Sequence, residues 1–181
     1  MLQIKINKDE FETIKFEELS LTCFEPLIKN YKNRLAEQDY PNVHQIRESF
    51  YGELTRGQQA LFMFYAYYNH VSKSLTEFYW WSAYFMAQPK SWSAIKNSFL
   101  QFEDESMYQF LGKFETKLKQ YGHPETLEAF EITREGFEQD KLLYSDIKSL
   151  HHEFEKASPM TIHKLNTYIH KNLQSFLDIE E

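Results

Sequence analysis

Four polar side chains interrupt the most apolar stretch of this chain: Asn69, His70, Lys73 and Glu77, with Trp81 and Tyr84 following at helical spacing. An amide, an imidazole, an amine and a carboxylate beside aromatic rings are the material of a cleft with convergent polar groups. They also suit a solvated edge where Tyr and Trp carry their polar tips to water. Spacing narrows the choice. His70 and Glu77 stand seven residues apart, about 10.5 Å along a helix, too far for both to bind one metal directly. His163 and His170 share that separation, and the adjacent His151 and His152 point to different sides of a helix.

The other chemistries of helical proteins find little in the sequence. A di-iron carboxylate site needs Glu-x-x-His on two helices, and none of the seven histidines has a Glu three residues before it. His-Glu-x-x-His, Gly-x-Ser-x-Gly, the Walker loop and the dinucleotide glycine cluster are all missing. The one cysteine, Cys23, reads as a small core residue rather than a nucleophile. No catalytic residue, metal ligand or cofactor is therefore assigned. Asn69, His70, Lys73, Glu77, Trp81 and Tyr84 are the candidate ligand- or partner-binding residues.

Acidic side chains form a second group. Glu128, Glu131, Glu135 and Glu138 recur at steps of three, four and three. On a helix continuous through Gly136 they would make a carboxylate row about 5 Å apart, able to imitate DNA phosphates toward a basic protein. The ordinary reading of such a run is a solvated face.

The elements that must carry these groups are helical. Five Gly and five Pro in 181 residues leave few turns, which points to long helices with short connections. From Gly57 to Pro89 the chain has only Lys73 and Glu77 charged, and its apolar residues occupy most sides of a helix. Thr55 and Gln58 have the spacing of a capping box. The expectation is one long central helix over about 56–87, ended by Gln88-Pro89, in an all-α domain of about eight helices spanning residues 1–181. Asp104 and Gly122-His123-Pro124 read as a helix start and stop. Pro26, Pro41 and Pro159 each read as opening a new helix. Leu2, Ile4 and Ile6 alternate in the manner of a short strand.

A net charge of −7 disfavours a nucleic-acid-binding surface, which needs clustered Lys and Arg. The longest unbroken apolar run, Ala60 to Tyr68, is shorter than the about 18 to 20 residues of a membrane span. With no signal-type N-terminus and no disulfide partner for Cys23, the sequence reads as cytoplasmic.

Leu54 to Trp81 resembles a bacterial all-helical family related to the acidic DNA-mimic proteins. In that family a helix reaches an Asn and Val pair, then a glycine-rich break, then a Gln or Glu followed by paired aromatics. Here Asn69 and Val71 match in kind, Ser72 to Ser74 stand at the break, and Glu77, Phe78 and Tyr79 follow. Lys73 and Ser74 replace the glycines, so the helix is read as continuing where the family kinks. The resemblance implies a non-enzymatic protein that binds another protein, a basic one being the natural class for an acidic surface. The Tyr and Trp surplus also suits a homodimer interface. The alternative is an enzyme or small-ligand binder with a cleft near His70 and Glu77.

Overall fold

A computed structural model describes residues 2, 4–37 and 42–180, the His44 side chain excepted. The helix break expected at Tyr40-Pro41 lies outside these residues. The described chain is all-α apart from two three-residue strands. Its order is β1 (Lys5–Asn7), α1 (Lys8–Thr13), α2 (Leu19–Ala36), α3 (Val43–Glu53), α4 (Arg56–Val71), α5 (Leu75–Met86), α6 (Pro89–Gln101), α7 (Glu105–Gln120), α8 (Arg134–Gln139), α9 (Lys141–Lys171) and β2 (Asp178–Glu180). No described helix is long and apolar enough to cross a membrane. The chain divides into two units, Met1–Phe62 with Ile162–Glu181, and Met63–Thr161.

In the first unit, Phe24, Tyr31, Phe50 and Phe62 form one aromatic cluster. Ring centroids lie 6.1 Å apart for Phe24–Phe62, 5.3 Å for Tyr31–Phe50 and 5.2 Å for Phe50–Phe62. Burying each such side chain stabilises the fold by roughly 1.5–3 kcal/mol. The Thr55–Gln58 capping box forms as its spacing predicts. Gln58 N–H donates to Thr55 Oγ1 at 3.0 Å, and Thr55 N–H donates to Gln58 Oε1 at 3.0 Å. The same two side chains then tie down the chain ends. Gln58 Nε2 donates to the carbonyls of Leu2 and Phe176, and Thr55 Oγ1 donates to Ser175 O at 2.6 Å. β1 and β2 pair in parallel, Ile6 opposite Ile179. The strand read from Leu2, Ile4 and Ile6 thus finds a partner at the far end of the sequence.

Helix α2 corrects one reading of proline. It begins at Leu19 and holds Pro26 in its interior. Leu19, Cys23, Phe24 and Leu27 are buried on both sides of the proline, and this apolar face outweighs the lost backbone hydrogen bond. α9 likewise runs through Pro159 as a single helix of 31 residues. The Ser158 hydroxyl, one residue before the proline, donates back to Phe154 O at 2.7 Å.

The second unit holds the most aromatic part of the chain, and here the expectation of one long helix over about 56–87 fails. α4 ends at Val71, and α5 starts at Leu75 behind the N-cap Ser74. Ser74 is fully extended, φ −167° and ψ 167°, and its hydroxyl accepts from Glu77 N–H at 3.2 Å. Ser72 Oγ donates to Tyr68 O at 2.7 Å. Short hydroxyl side chains compete for backbone groups in this way, and three polar residues in a row end the helix without a glycine. The turn folds α5 back along α4. His70 and Trp81 would stand about 16.5 Å apart on one straight helix, yet their ring centroids are 3.8 Å apart. Tyr67 Oη and Ser82 Oγ share a buried hydrogen bond of 2.8 Å across the same pair.

α7 opens at Asp104, as expected, with Met107 N–H pointing at Asp104 Oδ1. The chain turns at Gly122 with φ +72°, the left-handed conformation that glycine adopts without cost. Phe78 packs edge-on to Phe114 at 4.9 Å and beside Phe154 at 5.2 Å, which joins α5, α7 and α9.

Candidate functional site

α5 carries two pairs of residues at i and i+4, so each pair shares a face. The first is Glu77 with Trp81, whose indole N–H donates to Glu77 Oε2 at 2.8 Å. The second is Trp80 with Tyr84, whose rings stack at 5.2 Å and 9°. Trp81 stands perpendicular to both, 4.9 Å from Trp80 and 5.6 Å from Tyr84. Phe130 meets Trp80 and Tyr84 edge-on at 5.7 and 5.6 Å. The site is therefore a block of four interlocked rings, each of them half-buried.

The segment before α8 closes the block. Trp80 Nε1 donates to Ile132 O at 3.0 Å, and this holds the extended residues between Phe130 and Thr133 against α5. Thr133 then caps α8 through Gly136 N–H at 3.0 Å. Arg134, the first residue of α8, reaches two partners. Its Nε and Nη2 donate to Glu77 Oε1 and Oε2 at 2.6 and 2.9 Å. Its guanidinium carbon lies 4.1 Å from the centroid of the Trp80 ring. A planar guanidinium suits both contacts at once, fork to carboxylate and face to ring.

This geometry fixes the electrostatics. The Arg134 hydrogen bonds hold the Glu77 carboxyl below the usual carboxylate range; burial opposes them, and the Trp81 N–H and the Lys73 charge add to them. Glu77 is thus ionised at neutral pH, with both oxygens engaged, and a general base needs a pKa nearer the working pH. His70 lies below its ordinary value, first because of burial and then because of the Lys73 charge, with Glu77 opposing. Its ring stacks on Trp81 at 23°, and its buried Nδ1 has no hydrogen-bond partner.

The candidate residues therefore divide. His70, Glu77, Trp81 and Tyr84 come together with Trp80, whereas Asn69 and Lys73 are exposed and Lys73 acts on the others through its charge. The structure adds Arg134, Phe130 and the Ile132 carbonyl to the site. Arg134 stands 57 residues from Glu77, and no local pattern announces such a pairing.

The carboxylate row does not form a helical stripe. Leu127–Ala129 is a single 3-10 turn and α8 begins only at Arg134, so Glu128 and Glu131 leave the helix that Glu135 and Glu138 occupy. All four are exposed, and Glu138 accepts a hydrogen bond from Thr76 Oγ1 at 3.0 Å.

Two further titratable groups are explained by their surroundings. Burial pushes the Cys23 thiol up to about 12, an inert thiol at neutral pH. Although burial pushes Glu115 upward, donation from Lys96, Trp92 and Lys119 holds it at about 2. Among the described residues no group of three or more His, Cys, Asp or Glu is placed to hold a metal ion. Set beside known protein families, curated proteins and solved structures, the chain matches none of them.

Proposed function

We propose that this protein is an interaction module that takes a protein partner on the aromatic and acidic surface of α5 and the segment leading into α8. The observation that carries the reading is the block of Trp80, Trp81, Tyr84 and Phe130, all half-buried and rigidly interlocked. Rigid Trp and Tyr side chains give large contact area at small entropic cost, and they dominate binding energy at interfaces. Glu128, Glu131 and Glu135 are exposed beside Phe130 in sequence. Their charge favours a basic partner over a second copy of this chain, because like charges facing each other oppose association. The resemblance of Leu54 to Trp81 to a helical family related to the acidic DNA-mimic proteins implies the same class of function.

The test is co-purification from a native extract, comparing wild type with Tyr84→Ala. A discrete basic protein retained by the wild type and lost with Tyr84→Ala is the expected result. The same proteins retained by both would remove the reading.

A further inference from the structure

We propose that Glu77, Trp80 and Trp81 form an arginine-recognition subsite, filled in the resting protein by Arg134, and that a partner's arginine takes Arg134's place. The inference rests on the reading that this surface binds a protein partner, and it names that partner's recognition chemistry. The resting contact shows what the subsite selects. One face of Trp80 receives a guanidinium at 4.1 Å, while its ring also meets Trp81, Tyr84 and Phe130 and its indole N–H donates to Ile132 O. Glu77 offers both oxygens to one fork at 2.6 and 2.9 Å. Trp81 Nε1 donates to Glu77 Oε2 at 2.8 Å, a restraint on the carboxylate that comes from α5 itself and not from Arg134. A lysine ammonium is a point donor and cannot make the side-on pair.

Arg134 is placed to leave without unfolding its helix. Phe137 anchors α8, stacked on Tyr79 at 4.1 Å and almost wholly buried, and Thr133 caps the helix independently. The Arg134 side chain itself is 38% exposed and Glu77 25%, so the pair is open to exchange from solvent. Exposed Glu128, Glu131 and Glu135 supply negative charge on the same segment, which raises the local concentration of a basic peptide. Lys73 is also exposed and lowers the Glu77 pKa through its charge, but it makes no fork with Glu77. The resident Arg134 acts as an intramolecular competitor at an effective concentration on the order of mM, so it weakens binding of an incoming arginine.

The experiment follows the indole N–H resonances of Trp80 and Trp81 during titration of the full chain with acetyl-Gly-Arg-Gly-amide and with its lysine counterpart. Wild type, Arg134→Ala and Arg134→Ala/Glu77→Gln are compared. The arginine peptide is expected to bind Arg134→Ala about tenfold more tightly than wild type, because the competitor is gone. It should also bind more tightly than the lysine peptide, and the preference should vanish with Glu77→Gln. Should Arg134→Ala fail to fold by circular dichroism, Arg134→Lys keeps the charge without the fork, and the same arginine preference is expected there. Equal responses to the two peptides, or no response at either indole, would overturn the subsite. Arginine preference without any native partner that depends on Tyr84 keeps the subsite and removes the partner reading. A partner lost with Tyr84→Ala but no arginine preference does the reverse.

Discussion

The His70 ring lies on the Trp81 indole, 3.8 Å between centroids, across the turn that separates α4 from α5. That contact exists because the chain breaks at Ser72–Ser74, and the break depends on Ser74 accepting from Glu77 N–H. Ser74→Ala is expected to destabilise the protein by about 1 kcal/mol, and Ser74→Gly by only a few tenths. Urea denaturation of the three proteins checks both. Equal stability of wild type and Ser74→Ala would mean that packing alone sets the turn.

A second prediction concerns pH. His123 is buried, shares a 2.6 Å hydrogen bond with the Tyr79 hydroxyl, and is lowered from 6.5, first by burial. His70 and His151 are lowered from the same value, also first by burial. An unfolded chain binds these protons more readily than the folded one. Stability is therefore fully present above about pH 6.5 and falls as the pH drops through the lowered folded values. His123→Gln should flatten part of this slope in unfolding free energy measured between pH 8 and pH 5. The lowered carboxyl groups add a separate loss further down, which for Glu115 runs from the ordinary 4.5 to about 2.

Glu103 is a non-glycine residue with positive φ, 58°. It follows α6 at the position where helices favour glycine, with Glu103 N–H on Leu100 O and Asp104 N–H on Phe99 O at 2.7 Å. The left-handed backbone costs a side chain about 1–2 kcal/mol, offset in part by the greater unfolded freedom of glycine. Glu103→Gly is expected to raise stability by about 0.5–1 kcal/mol and Glu103→Ala to leave it unchanged, as read by thermal melting.

Gly57 shows the opposite constraint. A Cβ there would stand 2.8 Å from Phe176 Cζ, and Phe176 is buried at 1% exposure. Gly57→Ala should therefore destabilise by about 1–2 kcal/mol, overpacking outweighing the better helix propensity of alanine. Chemical denaturation reads the difference.

Local signals in the sequence carried through where their partners are close in the chain. Thr55 with Gln58, Asp104 at the start of α7 and Gly122 after it all read correctly because each needs only its near neighbours. Proline was the misleading signal. Pro26 and Pro159 sit inside helices whose buried faces continue past them, and tertiary burial is invisible to a propensity rule. The long aromatic stretch misled in the other direction, since its rings are apolar enough for one buried helix or for two folded together. Four of the six candidate site residues gather at α5, but their cation, Arg134, comes from a helix 57 residues away, and only the fold brings it there.

The most direct measurement of the central claim is retention of a native partner by full-length protein when the exposed charge is reversed. Glu131→Lys/Glu135→Lys changes side chains that are exposed, so its melting temperature should match the wild type. At low salt the wild type should retain one basic protein in stoichiometric amount; retention should fall about tenfold with the double variant and also at high salt. Retention by the double variant equal to that of the wild type at low salt would contradict a partner held by the aromatic and acidic surface of α5 and the segment leading into α8.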